Sequence, residues 1–222
     1  MTDNVRIVLT DRNPAVVAAW RAVSSVASIP LDVDLVDADV FETPADALLL
    51  PGNAFGFLDR GLELQVWERI GWSLQDRLRD SIREHASGEL LVGQAAIVPA
   101  EGAESPYRHV VYAPIYRTPR PLEGTVHAYL AARGALLELK REGAPRIESL
   151  VIPGLGTGGA GLHPVVSARQ LRYAIELVRG LRPLNDRHLT QLTRRELKLS
   201  TLPPDWEARV AGKAGDPDTS DD

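Results

Sequence analysis

Short continuous apolar runs alternate along the chain with longer stretches in which apolar residues recur every three or four positions. "VRIVL" (5–9) reads as a first strand. "NPAVVAAWRAVSSVA" (13–27) follows as a helix, with Asn13 as N-cap and Pro14 at the first helical position. "LDVDLVDADV" (31–40) sets Leu31, Val33 and Leu35 against acidic neighbours, the period of a half-buried strand. "ADALLLP" (45–51) carries, after Asp46, a continuous apolar run of strand length, as a strand covered on both faces would. From Leu62 to about His85, the residues Leu62, Val66, Trp67, Ile70, Leu74, Leu78 and Ile82 keep helical spacing, which predicts one helix with Trp67 and Trp72 in the core. "QAAIVPA" (94–100) and "HVVYAPIY" (109–116) read as strands. A long helix over 122–143 closes on Lys140, Arg141 and Gly143. "ESLVIPG" (148–154) is a last core strand, "PVVSARQLRYAIELVRGL" (164–181) a last core helix, and "TRRELKL" (193–199) a short strand or a helical turn.

Strands alternating with helices predict an α/β fold, a three-layer α/β/α sandwich around a mixed, mostly parallel sheet. With 222 residues and 44% hydrophobic content, a single domain over 1–200 is expected, followed by a disordered acidic tail over 205–222. The 25 basic residues against 30 acidic ones give a net charge of −5. That balance argues against general nucleic-acid binding but leaves room for a local anion pocket. The chain contains no cysteine, so disulfides and thiolate chemistry are impossible, and its five histidines show no metal-ligand spacing. No metal and no cofactor is expected. The opening residues lack the charged and apolar regions of a secretion signal, and no apolar run is long enough to span a membrane, so a cytoplasmic protein is expected.

Ligands of open α/β sheets bind beyond the carboxyl ends of the strands, where three loops of this chain should fall. "VIPGLGTGGAGLHP" (151–164) is the most informative of them. Five glycines within eight residues let backbone N–H groups from Gly156 to Gly161 turn toward an anion. Thr157 adds a hydroxyl, and the following helix adds its positive end. The spacing matches neither a Walker A loop nor a GxGxxG fingerprint. In "PGNAFGFLDRGLE" (51–63), the Asn53 amide has the donor and acceptor that paired ribose hydroxyls require, though a Gly-Asn turn accounts for it equally. Phe55 and Phe57 either pack beneath that loop or stack on a ligand. Glu63 sits in the first turn of a helix, where the dipole favours a carboxylate, and is also placed to hold a water against a bond to be cleaved. His163 is a surface group at a helix start, a proton donor to a leaving group, or a contact to a phosphate. Asp39 is a strand-end carboxylate, and Tyr116, Arg117 and Arg120 are basic or aromatic residues near another strand end.

Together these segments resemble the macrodomain family, which binds ADP-ribose, over about 31–181. "ADV" (38–40) is similar to the family's Gly-Asp-Ile element, which would make Asp39 the acceptor for the adenine amino group and place Val40 beside it. Asn53, fourteen residues on, stands at the last Asn of the family's Asn-Ala-Ala-Asn and would face the distal ribose. Leu58, Asp59 and Arg60 replace the usual glycines, Gly61 is kept, and Glu63 falls where many family hydrolases carry Asp. "GLGTGGAG" (154–161) resembles the phosphate loop, with Gly154, Gly156, Thr157, Gly158, Gly159, Ala160 and Gly161 as ligand contacts. The resemblance implies a macrodomain-like fold and a hydrolase that removes ADP-ribose from modified proteins, from a carboxylate ester, with Glu63 or His163 assisting the proton transfer. The alternatives are a non-catalytic reader of ADP-ribose or O-acetyl-ADP-ribose, or a ligand-free interaction module. The implied partner is ADP-ribose or an ADP-ribosylated protein, with no membrane involved.

Overall fold

A computed structural model describes residues 5–27, 30–101, 105–181 and 188–208. The elements run β1 (Arg6–Thr10), α1 (Pro14–Ser25), β2 (Asp34–Val36), a 3₁₀ turn (Val40–Glu42), β3 (Ala47–Asn53), α2 (Gly61–Ile70), α3 (Ser73–Ala86), β4 (Ala96–Pro99), β5 (His109–Tyr116), α4 (His127–Glu138), β6 (Ser149–Ile152), α5 (Pro164–Val178) and α6 (Leu189–Ser200). Six strands form one sheet in the order β2-β1-β6-β3-β5-β4. Every pairing is parallel except β4 with β5.

The apolar runs are continuous because the sheet is covered on both faces. Ile7, Leu9, Ala47, Leu49, Val111, Ala113, Leu150 and Ile152 pack with α1, α4 and α5. The residues between them, Val8, Leu48, Leu50, Val110, Tyr112 and Val151, pack with α2 and α3. Strand side chains alternate faces, so a strand with both faces covered has no polar position to spare. The expected three-layer α/β/α sandwich around a mixed, mostly parallel sheet is therefore the observed fold.

Four local expectations change. The helix expected from Leu62 to His85 is two helices, broken where Gly71 takes φ +121° and its N–H still reaches the Trp67 carbonyl. The apolar stripe passes through the break in phase, from Ile70 to Leu74, so the pattern alone conceals it. Trp72 is 65% exposed, not core; it packs edge-on against Trp67, whose indole N–H donates to its carbonyl at 2.8 Å. The stretch around 193–199 is helix throughout, as part of α6. Trp206, just inside the expected tail, is buried in the core, whereas 209–222 lie outside the described residues.

Candidate functional site

The carboxyl ends of β1, β3 and β6 open into two adjoining cavities of about 290 Å³ and about 270 Å³, both lined by Leu62, Gly154 and Gly158. The first is walled by Asp11, Arg12, Asp39, Val40 and Thr157. The second is walled by Glu63, Arg60, Tyr116, Arg120 and the glycine loop.

In the first cavity, Asp39 caps the 3₁₀ turn by accepting the Phe41 N–H at 2.9 Å, and it pairs with Arg12 from the β1–α1 loop. The neighbouring Val40 is fixed by its carbonyl, which accepts from the buried Tyr107 hydroxyl. Asp11 accepts the N–H of Asn13 at 2.8 Å and that of Gly154 at 3.0 Å, tying the β1–α1 loop to the glycine loop across 143 residues.

The glycine loop holds its own shape. Leu162 N–H donates to the Gly156 carbonyl and Gly161 N–H to the Gly158 carbonyl, both at 2.9 Å, while the Ala160 carbonyl accepts from Leu122 N–H. Gly156 (φ +73°) and Gly161 (φ +66°) need glycine for their backbone conformation. A Cβ at Gly154 would press on Asp11 and Val16. Gly158 and Gly159 are different: a Cβ on either meets nothing within 4 Å, and neither backbone is strained. Among the described residues, the N–H groups of Gly156, Thr157, Gly158, Gly159 and Ala160 have no protein acceptor.

Below the second cavity lies a polar cluster inside an apolar layer. Glu63, 4% exposed, sits in the first turn of α2, which starts at Gly61 in a left-handed conformation (φ +55°). Its Oε1 is within 3.2 Å of both the Asn53 Nδ2 and the Tyr112 hydroxyl. Tyr112 also accepts the Asn53 N–H and donates to the Asn53 carbonyl, each at 2.8 Å. Burial pushes the Glu63 carboxyl up from 4.5 to about 8, against the pull of the Tyr112 hydrogen bond. It also drives the Tyr112 hydroxyl well above its ordinary value, and the facing Glu63 adds to that rise. Gly52 makes room for the cluster, since a Cβ there would overlap the Tyr112 hydroxyl and the Glu63 carboxyl.

The remaining expected residues fall as follows. Asn53 is buried and its side chain is fully engaged: Oδ1 accepts from the Phe55 and Phe57 N–H groups, and Nδ2 donates to the Phe57 carbonyl and to Glu63. It shapes the loop and lines neither cavity. Phe57 is 42% exposed, lies under the Arg79 guanidinium at 4.3 Å, and lines neither cavity. His163 caps α5 through Nδ1, which accepts the Val165 N–H at 3.2 Å, and it lines neither cavity. Gly61 and Ala160 line the second cavity and Thr157 the first. Tyr116 and Arg120 reach the second cavity, whereas Arg117 pairs with Glu89 at 2.6 Å. Sequence reasoning missed Tyr112, which reads as one more apolar position in a strand. It also missed Asp11 and Arg12, although they follow the first strand directly and the rule of ligands at strand carboxyl ends pointed to them. Among the described residues, no group of three or more His, Cys, Asp or Glu is placed to hold a metal ion, and no helix is long and apolar enough to cross a membrane.

A parallel-rich α/β/α domain with a cleft at the strand ends of β1, β6 and β3 is the architecture, and comparison with solved structures gives it a name. The macrodomain of Mycobacterium tuberculosis DarG superposes with a TM-score of 0.52 at 18% identity, over 64% of this chain and 88% of that one. The Oceanobacillus iheyensis macrodomain with ADP gives 0.51 at 16% identity, over 64% and 74%. Thermosipho africanus DarTG in complex with ADP-ribose gives 0.51 at 19% identity, over 73% of this chain and 45% of that one. The chain has the macrodomain fold. In sequence it is similar to uncharacterized proteins of Aeropyrum pernix (28% identity, 74% of this chain and 78% of that protein) and Aquifex aeolicus (26%, 69% and 84%). No family model matches the sequence, in keeping with a divergent member of the fold.

Proposed function

We propose that this protein binds ADP-ribose along the cleft and hydrolyses it from a modified protein side chain. The carrying observation is the run of backbone N–H groups from Gly156 to Ala160 that have no acceptor among the described residues, at a stretch where a Cβ on Gly158 or Gly159 meets nothing within 4 Å. Such a nest of amides at the start of a helix matches a diphosphate. Asp39 and Val40 at one end then receive the adenine, and the second cavity receives the distal ribose. Thr157, Gly154, Gly156 and Gly161 fix the loop around the phosphates.

Glu63 carries the proton in this reading. With its carboxyl raised to about 8, it is protonated at neutral pH and acts as a general acid. Water attacks the anomeric carbon as the bond to the acceptor carboxylate breaks; Glu63 donates its proton to the departing oxygen, and the proton released by the attacking water returns to the Glu63 carboxylate. Asn53 and Tyr112 position that carboxyl and do not touch the ribose themselves. The complete engagement of Asn53 favours a second reading, a reader that binds ADP-ribose without cleaving it. We also propose a cytoplasmic location, with which a chain without cysteine is compatible.

Calorimetry with ADP-ribose and release of label from an automodified ADP-ribosyl transferase separate the outcomes. Binding with loss of label supports the hydrolase. Binding with retained label leaves the reader, and a silent titration removes both.

A further inference from the structure

The β1–α1 loop closes the end of the cleft away from Glu63. Within it, Asp11 holds the glycine loop, and Arg12 crosses to Asp39. The two partners differ in exposure: the Asp39 side chain is 8% exposed and that of Arg12 is 63% exposed, and both line the first cavity. Asp39 Oδ1 accepts the Phe41 N–H, and Oδ2 is the oxygen paired with Arg12. Each carboxylate oxygen has two acceptor positions, so room remains for one more donor. Arg12 presents five N–H donors in a plane, and its Nη2 meets Asp39 Oδ2. The cavity wall therefore shows an acceptor and a donor side by side, held in fixed order by their own ion pair.

Adenine carries the matching pair on one edge, the N6 amino donor beside the N7 acceptor. The same edge of guanine presents two acceptors, O6 and N7, and would set O6 against the carboxylate. We propose that Arg12 is a nucleobase-contacting residue that donates to adenine N7 while Asp39 accepts from N6, so that the pair and not the carboxylate alone selects the base. This rests on the reading that the cleft holds ADP-ribose.

The test measures binding of ADP-ribose, GDP-ribose and ribose 5-phosphate to the wild type, Arg12→Ala and Arg12→Lys, with thermal melting of each. Expected are preference of the wild type for ADP-ribose over GDP-ribose and a loss of about tenfold or more in ADP-ribose affinity for Arg12→Ala. Arg12→Lys should stay weak, because an ammonium supplies charge without the planar fork. Ribose 5-phosphate, which has no base, should bind all three proteins alike, and melting should be unchanged. Undiminished ADP-ribose affinity in Arg12→Ala, equal losses for ribose 5-phosphate, or full recovery in Arg12→Lys would each overturn the assignment while leaving the ADP-ribose cleft intact. A wild type that binds no ADP-ribose overturns both.

Discussion

Replacing Glu63 by glutamine tests the chemistry of the buried cluster without emptying it. Glutamine keeps the acceptor that faces Asn53 and Tyr112, and it has no proton to lose. In the wild type the folded carboxyl titrates at about 8 and the unfolded one near 4.5. Between these values the unfolded chain has released its proton while the folded protein still holds it, so stability falls as pH rises. At about 1.4 kcal/mol per pH unit, the interval costs about 5 kcal/mol. The loss is absent below the lower value and complete above the upper one. Glu63→Gln lacks this term, so its stability relative to the wild type should climb by about 5 kcal/mol across the window and then level. Urea denaturation of both proteins from about pH 5 to about pH 9 measures the difference directly. Parallel pH curves would refute a protonated Glu63. The same carboxyl governs turnover under the proposed mechanism: wild-type kcat should fall as pH passes about 8, and Glu63→Gln should lose about a hundredfold or more at neutral pH.

Gly158→Glu should abolish ADP-ribose binding with little change in melting temperature, because its Cβ meets nothing within 4 Å while the new charge faces the diphosphate; calorimetry beside a thermal melt checks both. Gly52→Ala should destabilise the protein by about 2–3 kcal/mol, since its methyl group overlaps Tyr112 and Glu63, as chemical denaturation would show. His163→Ala should cost about 0.5–1 kcal/mol through loss of the α5 cap and leave turnover unchanged; a large drop in kcat would return His163 to the catalytic centre.

The layering was legible because each strand run signals its own burial. Within "ADALLLP" the run from Ala47 to Leu50 has no polar position on either side, and both of its faces are covered in the fold. The glycine loop was legible for a similar reason, as its composition departs from anything packing demands. The cluster beneath the second cavity was not legible. Tyr112 meets Asn53 across 59 residues, and within "HVVYAPIY" a tyrosine that packs looks the same as one that bonds. Asn53 shows the reverse problem. Its turn and its proximity to the cleft were both readable, but whether its amide would be engaged by its own loop depended on the fold around Phe55 and Phe57. The break at Gly71 stayed hidden because helical phase survived it.

Strand β6 lies between β1 and β3, with Leu150 opposite Ile7 and Val151 opposite Leu48. A chain that has emerged only to residue 148 therefore has an unfilled slot at the middle of its sheet, and the loops after β1 and β3 stand on separate ribbons. Recognition has no partial precursor in such a topology. The last parallel strand to be synthesised joins the two halves and supplies the loop between them, so a truncated copy ending before it should have neither a finished sheet nor a place for a ligand.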